Sequence, residues 1–331
     1  MRSNKFFIYL IGLILLVTAM FLSVTYGVKA VGLSDVLEAF KNNSSTDYNV
    51  NVVQARIPRT IFGLLAGAAL SISGVFMQSI TRNPIADPSI LGVNTGASLF
   101  IVIGITFFNI QSRFSYISLA FLGALLAALL VYRLASLGYG GPTPIKLAIS
   151  GAAVSTALSS FVSMIIMPNS SVMTTYRFWQ IAGIGGTNYD DIKWVLVILA
   201  ICVLCSISIA PQLNALLLSE DTATSLGVNV PVTKAITAVC GVFLCATITA
   251  LAGPISFVGL MIPHIIRRLV GSNHVHVIPL SAIYGGFLLL IADVAGRVLG
   301  NPGELETGIM TALIGGPVFI IIIRKAKVQS L

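Results

Sequence analysis

Charged residues are scarce in this chain of 331 residues, because Asp, Glu, Lys and Arg together make up 9% of it. Soluble domains carry about 25% charged residues, so this scarcity excludes a water-soluble globular protein. Cysteine and histidine are also sparse, with four and three residues. The cysteines lie inside apolar stretches and the histidines form no recognisable ligand set, so neither residue type indicates a disulfide framework or a metal site.

Sequence motifs that would carry catalysis are also missing. The chain has no G-x-x-x-x-G-K-[ST] phosphate-binding loop, no H-E-x-x-H zinc motif and no evident arrangement of Ser, His and Asp. We therefore predict that it is not an enzyme, that it needs no cofactor and that it does not hydrolyse ATP by itself. An intramembrane enzyme would need several titratable groups that converge at membrane depth, and the sequence does not indicate them.

Long apolar segments dominate what is present: 56% of the residues are hydrophobic and the mean hydropathy is +0.97. A helix needs about 20 apolar residues to cross the hydrocarbon core of a membrane. The fold class that we predict is all-α, a polytopic membrane bundle of about ten transmembrane helices, with residues 1–331 as a single domain. The first segment is not followed by an A-x-A cleavage site, which favours a retained helix over a signal peptide. The ten segments, of which 255–268 is short and interrupted by proline, lie near residues 6–26, 60–80, 90–109, 114–132, 145–167, 193–210, 235–252, 255–268, 275–296 and 305–323.

The basic residues are unevenly divided between the two sides of the predicted bundle. With the N-terminus inside, 11 Lys and Arg residues fall on the cytoplasmic side, among them Lys327, and 8 fall on the outer side. This bias follows the positive-inside rule and predicts that both termini are cytoplasmic. The net charge of +8 then reflects contact with inner-leaflet lipid and does not indicate nucleic-acid binding.

One predicted cytoplasmic joint, LLLSEDTATSLGV, has the pattern of a short helix. Ser219 can cap its N-terminus, and Glu220 and Asp221 fall in the first turn, where the helix dipole favours negative charge. Leu226 lies near its end, and Gly227 can supply the left-handed residue that stops it. A helix of about two turns is not stable alone in water, so this one packs either against its own bundle or against a partner protein.

Several stretches of the sequence resemble the signature of a known family. They are QARIPRTIFGLLAGAALSISGVFMQSITRNPIADPSILGVNTGAS (54–98), LLLSEDTATSLGV (216–228), GPISFVGLMIPHIIRRLVG (253–271), DVAGRVL (293–299) and ETGIMTALIGGPVF (306–319). In this order, and over nearly the whole length, they are similar to the iron-siderophore and cobalamin permease family of ABC importers. One departure is Glu306, which stands where members often carry a proline.

The resemblance implies a type II ABC importer permease fold in the lipid of a bacterial cytoplasmic membrane. It also implies a second permease subunit, identical or homologous, two cytoplasmic ATPase subunits and an extracytoplasmic substrate-binding protein. The helix that contains Ser219, Glu220, Asp221, Leu226 and Gly227 would couple to the ATPase. The implied cargo is an iron chelate, a ferric siderophore, with haem or cobalamin as alternatives. The residues implied for docking of the binding protein, as a basic rim on the outer face, are Arg56, Arg59 and Arg297.

Plainer interpretations of some of these residues stay open. Arginines at the ends of membrane spans often extend to lipid headgroups, which would explain Arg56, Arg59 or Arg297 without a docking role. Asp87 and Asp293 lie near span ends, and intramembrane carboxylates are typical of ion-coupled secondary transporters. That transporter class is the alternative to an ATP-driven importer.

Overall fold

The computed structural model describes residues 2–41, 47–138 and 142–325, so the predicted cytoplasmic Lys327 lies outside the described residues. Over the described part, the chain forms α-helices and no β-strand. A 3-10 turn, Pro88–Leu91, precedes the fourth helix. In chain order the α-helices of the described part are α1 (Arg2–Thr25), α2 (Leu33–Lys41), α3 (Tyr48–Thr81), α4 (Val93–Phe108), α5 (Arg113–Ala135), α6 (Pro144–Ile166), α7 (Ser170–Gln180), α8 (Tyr189–Leu216), α9 (Glu220–Ser225), α10 (Val230–Ala252), α11 (Val258–Val270), α12 (His274–Leu299) and α13 (Thr307–Lys325).

The predicted segments correspond, in order, to helices of the structure, which confirms the predicted fold class. The apolar parts of α4 and α13 are shorter than a typical span. Helix α11 has 13 residues and is about 20 Å long at 1.5 Å per residue, so it cannot cross the bilayer alone. In the described part of the chain, seven helices are long and apolar enough to cross a membrane: α1, α3, α5, α6, α8, α10 and α12.

Helix α3 begins at Tyr48, about twelve residues before the predicted apolar span near residue 60. Asp47 caps the helix by accepting a hydrogen bond from a backbone N–H of the first turn at 2.8 Å. Polar residues lower the hydropathy of these first turns. Val50 and Val53 are nevertheless fully buried in a small apolar cluster with residues of α2. The packing of this amphipathic face therefore sets the N-terminus of α3.

Helix α3 is the centre of the bundle, because 89% of its most apolar window is buried, against 17% in α1 and in α6. Helices α8, α10, α11 and α12 all pack against it. Two of these contacts are made through glycine. A Cβ atom at Gly67 would overlap the carbonyl oxygen of Gly285 in α12, and a Cβ atom at Gly74 would overlap that of Gly259 in α11. Small residues thus let these helices approach closely, as is common in membranes.

Helices α1 and α6, the least buried of the membrane-length helices, expose different kinds of residue in their middle turns. Helix α1 exposes large apolar side chains such as Phe7 and Val17. In the middle of α6, over residues 150–160, the exposed side chains are all alanine, serine or threonine. The hydroxyl groups of Thr156 and Ser160 donate to carbonyl oxygens of their own helix at 2.9 Å. These hydroxyls need no other partner, so the middle of α6 presents a surface of small residues between turns that expose Ile149 and Phe161.

Candidate functional site

Three arginines meet at one end of the bundle, which we call the arginine end. Arg56 and Arg59 are three residues apart near the start of α3, and Arg297 lies near the end of α12. Helices α3 and α12 are antiparallel neighbours, so the start of one lies beside the end of the other. With Lys29, these arginines line a cavity of about 520 Å³. We call Arg56, Arg59 and Arg297 the arginine cluster.

Two carboxylates hold the side chain of Arg59. Its Nε and Nη2 atoms donate to Oδ1 of Asp293 at 3.1 and 2.8 Å. Its Nη1 atom donates to Oε2 of Glu304 at 2.7 Å. Charge-assisted hydrogen bonds of this kind are shorter and stronger than bonds between neutral groups. The planar guanidinium is therefore fixed in orientation, and 12% of the Arg59 side chain is exposed.

The carboxylate of Asp293 connects three helices. Its Oδ1 atom accepts the hydrogen bonds from Arg59 of α3 and another from Oγ1 of Thr307 in α13 at 3.0 Å. Its Oδ2 atom lies 3.0 Å from Nη2 of Arg297, one turn further along α12. The Asp293 side chain is 1% exposed. Its charge is stabilised by these partners, because a buried carboxylate without them is costly.

Arg56 and Arg297 attach the end of α1 to this cluster. Arg297 donates to the carbonyl oxygen and to the hydroxyl group of Ser23, both at 3.0 Å. Arg56 donates to two carbonyl oxygens in the last turn of α1 at 3.2 Å and to that of Lys29 at 2.8 Å. The last carbonyls of a helix lack partners within it, and cations are favoured there.

The geometry of the arginine cluster differs from the outward basic rim that the sequence predicts. Arg56 is 9% exposed and Arg297 is 1% exposed, and the three side chains donate to oxygen atoms within the protein. Most of their donors are paired there, which offsets the cost of taking charge out of water, and the exception among the buried donors is Nε of Arg297. The exposed cation at this cavity is Lys29, whose Nζ atom lies 4.8 Å from the ring centre of Tyr48. The docking role of the cluster stays a prediction.

Several partners of the arginines escape sequence reasoning. The D-x-x-x-R spacing of Asp293 and Arg297 is a usable signal, because residues four apart face each other on a helix. Glu304 and Ser23 carry no such local signal.

Asp87, the other carboxylate near a span end, accepts a hydrogen bond from the backbone N–H of Ser89 at 2.9 Å and so caps the 3-10 turn.

Glu306 lies beside the arginine cluster, directly before α13. Its carboxylate packs against Gly183. Burial raises the pKa of the Glu306 carboxyl, whereas the nearby charge of Arg59 lowers it. Glu306 therefore adds an acidic group at this end of the molecule at the position where the family often has a proline.

At the other end of α3, the α9 end, the short helix α9 has the caps that its sequence predicts. The Ser219 hydroxyl accepts a hydrogen bond from a backbone N–H of the first turn at 2.9 Å, so Ser219 is the N-cap. Gly227 has a φ of 81°, in the left-handed region. Its N–H donates to the carbonyl of Thr224, and the N–H of Val228 donates to that of Ala223, both at 2.9 Å. These bonds form a Schellman motif, which satisfies the last carbonyls of the helix.

One side of α9 is attached to the bundle. Ala223 is fully buried. The Oε1 atom of Glu220 lies 2.7 Å from Nζ of Lys234 in α10 and 3.8 Å from Nη2 of Arg82, which follows α3. Glu220 therefore braces α9 against two neighbouring helices.

The other side of α9 faces away from the bundle and is partly apolar. Leu226 is 65% exposed, and Leu217 and Leu218, just before α9, are also exposed. Asp221 is exposed in the first turn. Exposed leucines at both ends of so short a helix form an apolar surface that another molecule can cover.

Membrane-length helices around a buried central helix define a multi-pass membrane protein. The chain belongs to the FecCD transport family, and the model of that family matches residues 14–325.

Known relatives agree with this assignment. The chain is 41% identical to the ferric enterobactin transport system permease protein FepD of Escherichia coli K12, over 95% of this chain and 93% of that protein. It is 36% identical to the cobalamin import system permease protein BtuC of Halobacterium salinarum, over 83% of this chain and 74% of that protein. A solved structure described as an inward-facing metal-chelate type ABC transporter superposes with a TM-score of 0.82 at 28% identity, covering 98% of this chain and 100% of that one.

Proposed function

We propose that this chain is the membrane-spanning permease subunit of an ABC importer and that its cargo is a ferric siderophore. The observation that carries the proposal is the 41% identity to a ferric enterobactin permease over 95% of the chain. Haem and cobalamin are the alternative cargoes, and cobalamin is favoured among them by the similarity to a cobalamin permease over 83% of the chain.

In this function the arginine end faces outward and the α9 end faces the cytoplasm. Tyr9, near the start of α1, lies 3.5 Å from His276 at the start of α12. The backbone N–H of His274 in α12 donates to Asn214, close to α9, at 2.8 Å. Helix α13 starts beside the arginine cluster and therefore runs towards the α9 end. These contacts support two cytoplasmic termini in a bacterial cytoplasmic membrane, where the excess of basic residues agrees with the positive-inside rule.

The exposed surface of α9 is the proposed contact with the ATPase subunits. A helix of six residues has little stability of its own, and its exposed Leu226, together with Leu217 and Leu218, gives an ATPase an apolar surface to cover. Ser219 and Gly227 fix the two ends of the helix, so a push on α9 moves it as a unit. The brace from Glu220 would pass that movement to α3 and α10.

The cavity at the arginine end is the proposed docking site of the binding protein. The arginine cluster and Lys29 give it four positive charges, and two carboxylates offset part of this charge: Glu304 in the lining and Asp293, which binds Arg59 and Arg297 beneath it, so the balance stays positive. A cavity with this balance attracts acidic side chains and steers their approach.

The proposed partner in the membrane is a second permease subunit, identical or homologous. The small-residue face in the middle of α6 supports this contact, because helices in lipid associate through small side chains. Helix α1, with its large exposed apolar side chains, would instead contact lipid. An ion-coupled transporter is disfavoured, since Asp293 is paired with two arginines and Asp87 caps a turn.

Uptake into proteoliposomes tests the function and the cargo. The chain is reconstituted with its cognate ATPase and binding protein, and uptake of radiolabelled ferric enterobactin is compared with that of ferric citrate and cyanocobalamin. We expect ATP-dependent uptake of the ferric siderophore. Uptake driven by an ion gradient without ATP, or ATP turnover by the purified chain alone, would contradict the proposal.

A charge reversal at the cavity tests the docking site. Lys29→Glu reverses an exposed charge and should weaken capture of the binding protein, most strongly at low salt. Lys41→Glu in α2 is the matched control, because Lys41 is exposed but does not line the cavity. Equal affinity of the Lys29→Glu variant and its control at low salt would remove the docking role.

Substitution of Leu226 tests the ATPase contact. Leu226→Asp should leave the melting temperature unchanged, because the side chain is largely exposed, but it should abolish co-purification with the ATPase and ATP-driven uptake. Leu226→Met keeps an apolar side chain and should retain both. Normal uptake by the Leu226→Asp variant would show that α9 does not couple the two subunits.

A further inference from the structure

Glu304 occupies a hydrogen-bonding position of Arg59 at the cavity of the arginine end. It lies on the short connection between α12 and α13, and its Oε2 atom is 2.7 Å from Nη1 of Arg59. Its side chain is 42% exposed, although that of Arg59 is 12% exposed. Glu304 therefore covers the side of this guanidinium that faces the cavity.

The two carboxylates that bind Arg59 differ in how firmly they are held. Asp293 is buried within α12 and is bound by Arg59, Arg297 and Thr307 together, so it cannot leave without breaking all of these contacts. For Glu304 the contact in the described part of the chain is the one with Arg59. Loss of the Glu304 contact would leave the charge of Arg59 balanced by Asp293. Glu304 is therefore the exchangeable carboxylate of the pair.

We infer that Glu304 is an internal substitute for an acidic side chain of the binding protein, which it replaces at Arg59 while the outer face is free. The inference rests on the proposed docking function. When the binding protein arrives, its carboxylate takes the Nη1 position of Arg59 and Glu304 moves out towards solvent. The step exchanges one carboxylate for another, so no buried charge is left unpaired at any stage.

This exchange has a consequence for affinity and specificity. A partner carboxylate gains the contact with Arg59 but displaces an existing one, so the net gain is small. Docking is thereby kept reversible, as a binding protein that must leave after each delivery requires. A partner without a correctly placed carboxylate cannot displace Glu304 and meets a negatively charged side chain instead, which acts against the wrong partner.

The effect of removing Glu304 on the affinity of the binding protein distinguishes a structural role of Glu304 from competition with the partner's carboxylate. If Glu304 only fixed the connection between α12 and α13, its loss would loosen the cavity and weaken docking. If it competes with the partner, Glu304→Gln removes the competing charge, raises the local positive charge and strengthens docking.

The experiment measures binding of the cognate binding protein to the complete transporter in lipid nanodiscs. For Glu304→Gln we expect affinity about two- to fivefold higher than that of the unmodified transporter, the range that a partly exposed ion pair contributes. The gain should come partly from faster association and should shrink as salt is added. Glu38→Gln in α2 is the matched control, since Glu38 is exposed and does not line the cavity, and its affinity should not change.

Unchanged or lower affinity of the Glu304→Gln transporter would overturn the inference. A variant Glu304→Ala, which also removes the hydrogen-bonding amide, should strengthen docking in the same direction, and weaker docking by a normally folded Ala variant would again overturn it. Lys29→Glu, measured in parallel, separates this outcome from failure of the docking proposal. If Lys29→Glu weakens binding while Glu304→Gln leaves it unchanged, the docking site stands and the substitute role of Glu304 does not.

Discussion

At the arginine end, Arg59, Asp293 and Arg297 are nearly buried. Arg59 donates hydrogen bonds to Asp293 at 2.8 and 3.1 Å, and Arg297 forms an ion pair with Asp293 at 3.0 Å. At the α9 end, a helix of six residues is held by one buried alanine and the ion pairs of Glu220, and Leu226 is exposed. The charged groups of the first surface have their main partners within the chain. The second has apolar side chains that the chain itself leaves uncovered.

This difference indicates two ways of preparing a surface for a partner. Charged groups are costly to bury, so the arginine end arranges them in advance and a partner only exchanges one contact. Exposure of single apolar side chains costs little free energy, so the leucines of the α9 end can stay uncovered. A partner would complete their packing. The following substitutions test each half of this comparison.

The largest effect is expected from Asp293→Asn, which breaks the arginine end. It leaves Arg59 and Arg297 buried with less negative charge, and loss of one partner of a buried ion pair costs about 3–5 kcal/mol. Unfolding in detergent should therefore occur at a clearly lower temperature. Asp190→Asn is the control, because the ion pair of Asp190 with Lys193 is exposed and its loss should cost at most about 1 kcal/mol. Equal melting temperatures for the two variants would contradict the buried role of Asp293.

A smaller, local effect is expected from Gly227→Val, which breaks the α9 end. A Cβ atom at Gly227 meets no atom within 4 Å, so the cost is conformational. It is about 1–2 kcal/mol for an L-residue in the left-handed region. Hydrogen exchange of the α9 amides should accelerate, and uptake per ATP hydrolysed should fall. Gly227→Asn should be milder, because Asn tolerates this conformation. If the Val and Asn variants exchange at the same rate, the stop at Gly227 does not define the helix.

The smallest effect is expected from Lys234→Met, which separates the contribution of the ion pair at the α9 end from that of the helix caps. The change removes the ion pair with Glu220 but keeps an apolar stem, and a partly exposed pair contributes about 0.2–1 kcal/mol. Protection of the α9 amides should decrease slightly, while the melting temperature stays the same. Lys193→Met changes an exposed ion pair near the start of α8, at the end of that helix that is remote from α9, and should not alter α9. A loss of protection as large as that of Gly227→Val would mean that the ion pair, not the caps, holds the helix.

Sequence reasoning predicts the local features of this protein better than the distant ones. The run of apolar residues predicts the order of the spans, and Ser219 and Gly227 predict both ends of α9, because these features depend on neighbouring residues. The polar first turns of α3 lie outside the predicted apolar span because their helical structure is stabilised by packing with α2. The partners of Arg59 escape prediction because Asp293 and Glu304 are 234 and 245 residues away in the chain. Their contacts turn an expected exposed rim into a buried network.

Helix α3 carries both surfaces. Its first turns hold Arg56 and Arg59, and Arg82 at its other end donates to the carbonyl oxygen of Leu216 at 3.2 Å and lies 3.8 Å from Glu220. Its 34 residues form a rod about 51 Å long at 1.5 Å per residue. One helix of this length therefore connects the arginine end with the α9 end, and a tilt of about five degrees would displace one of its tips by about 4 Å relative to the other.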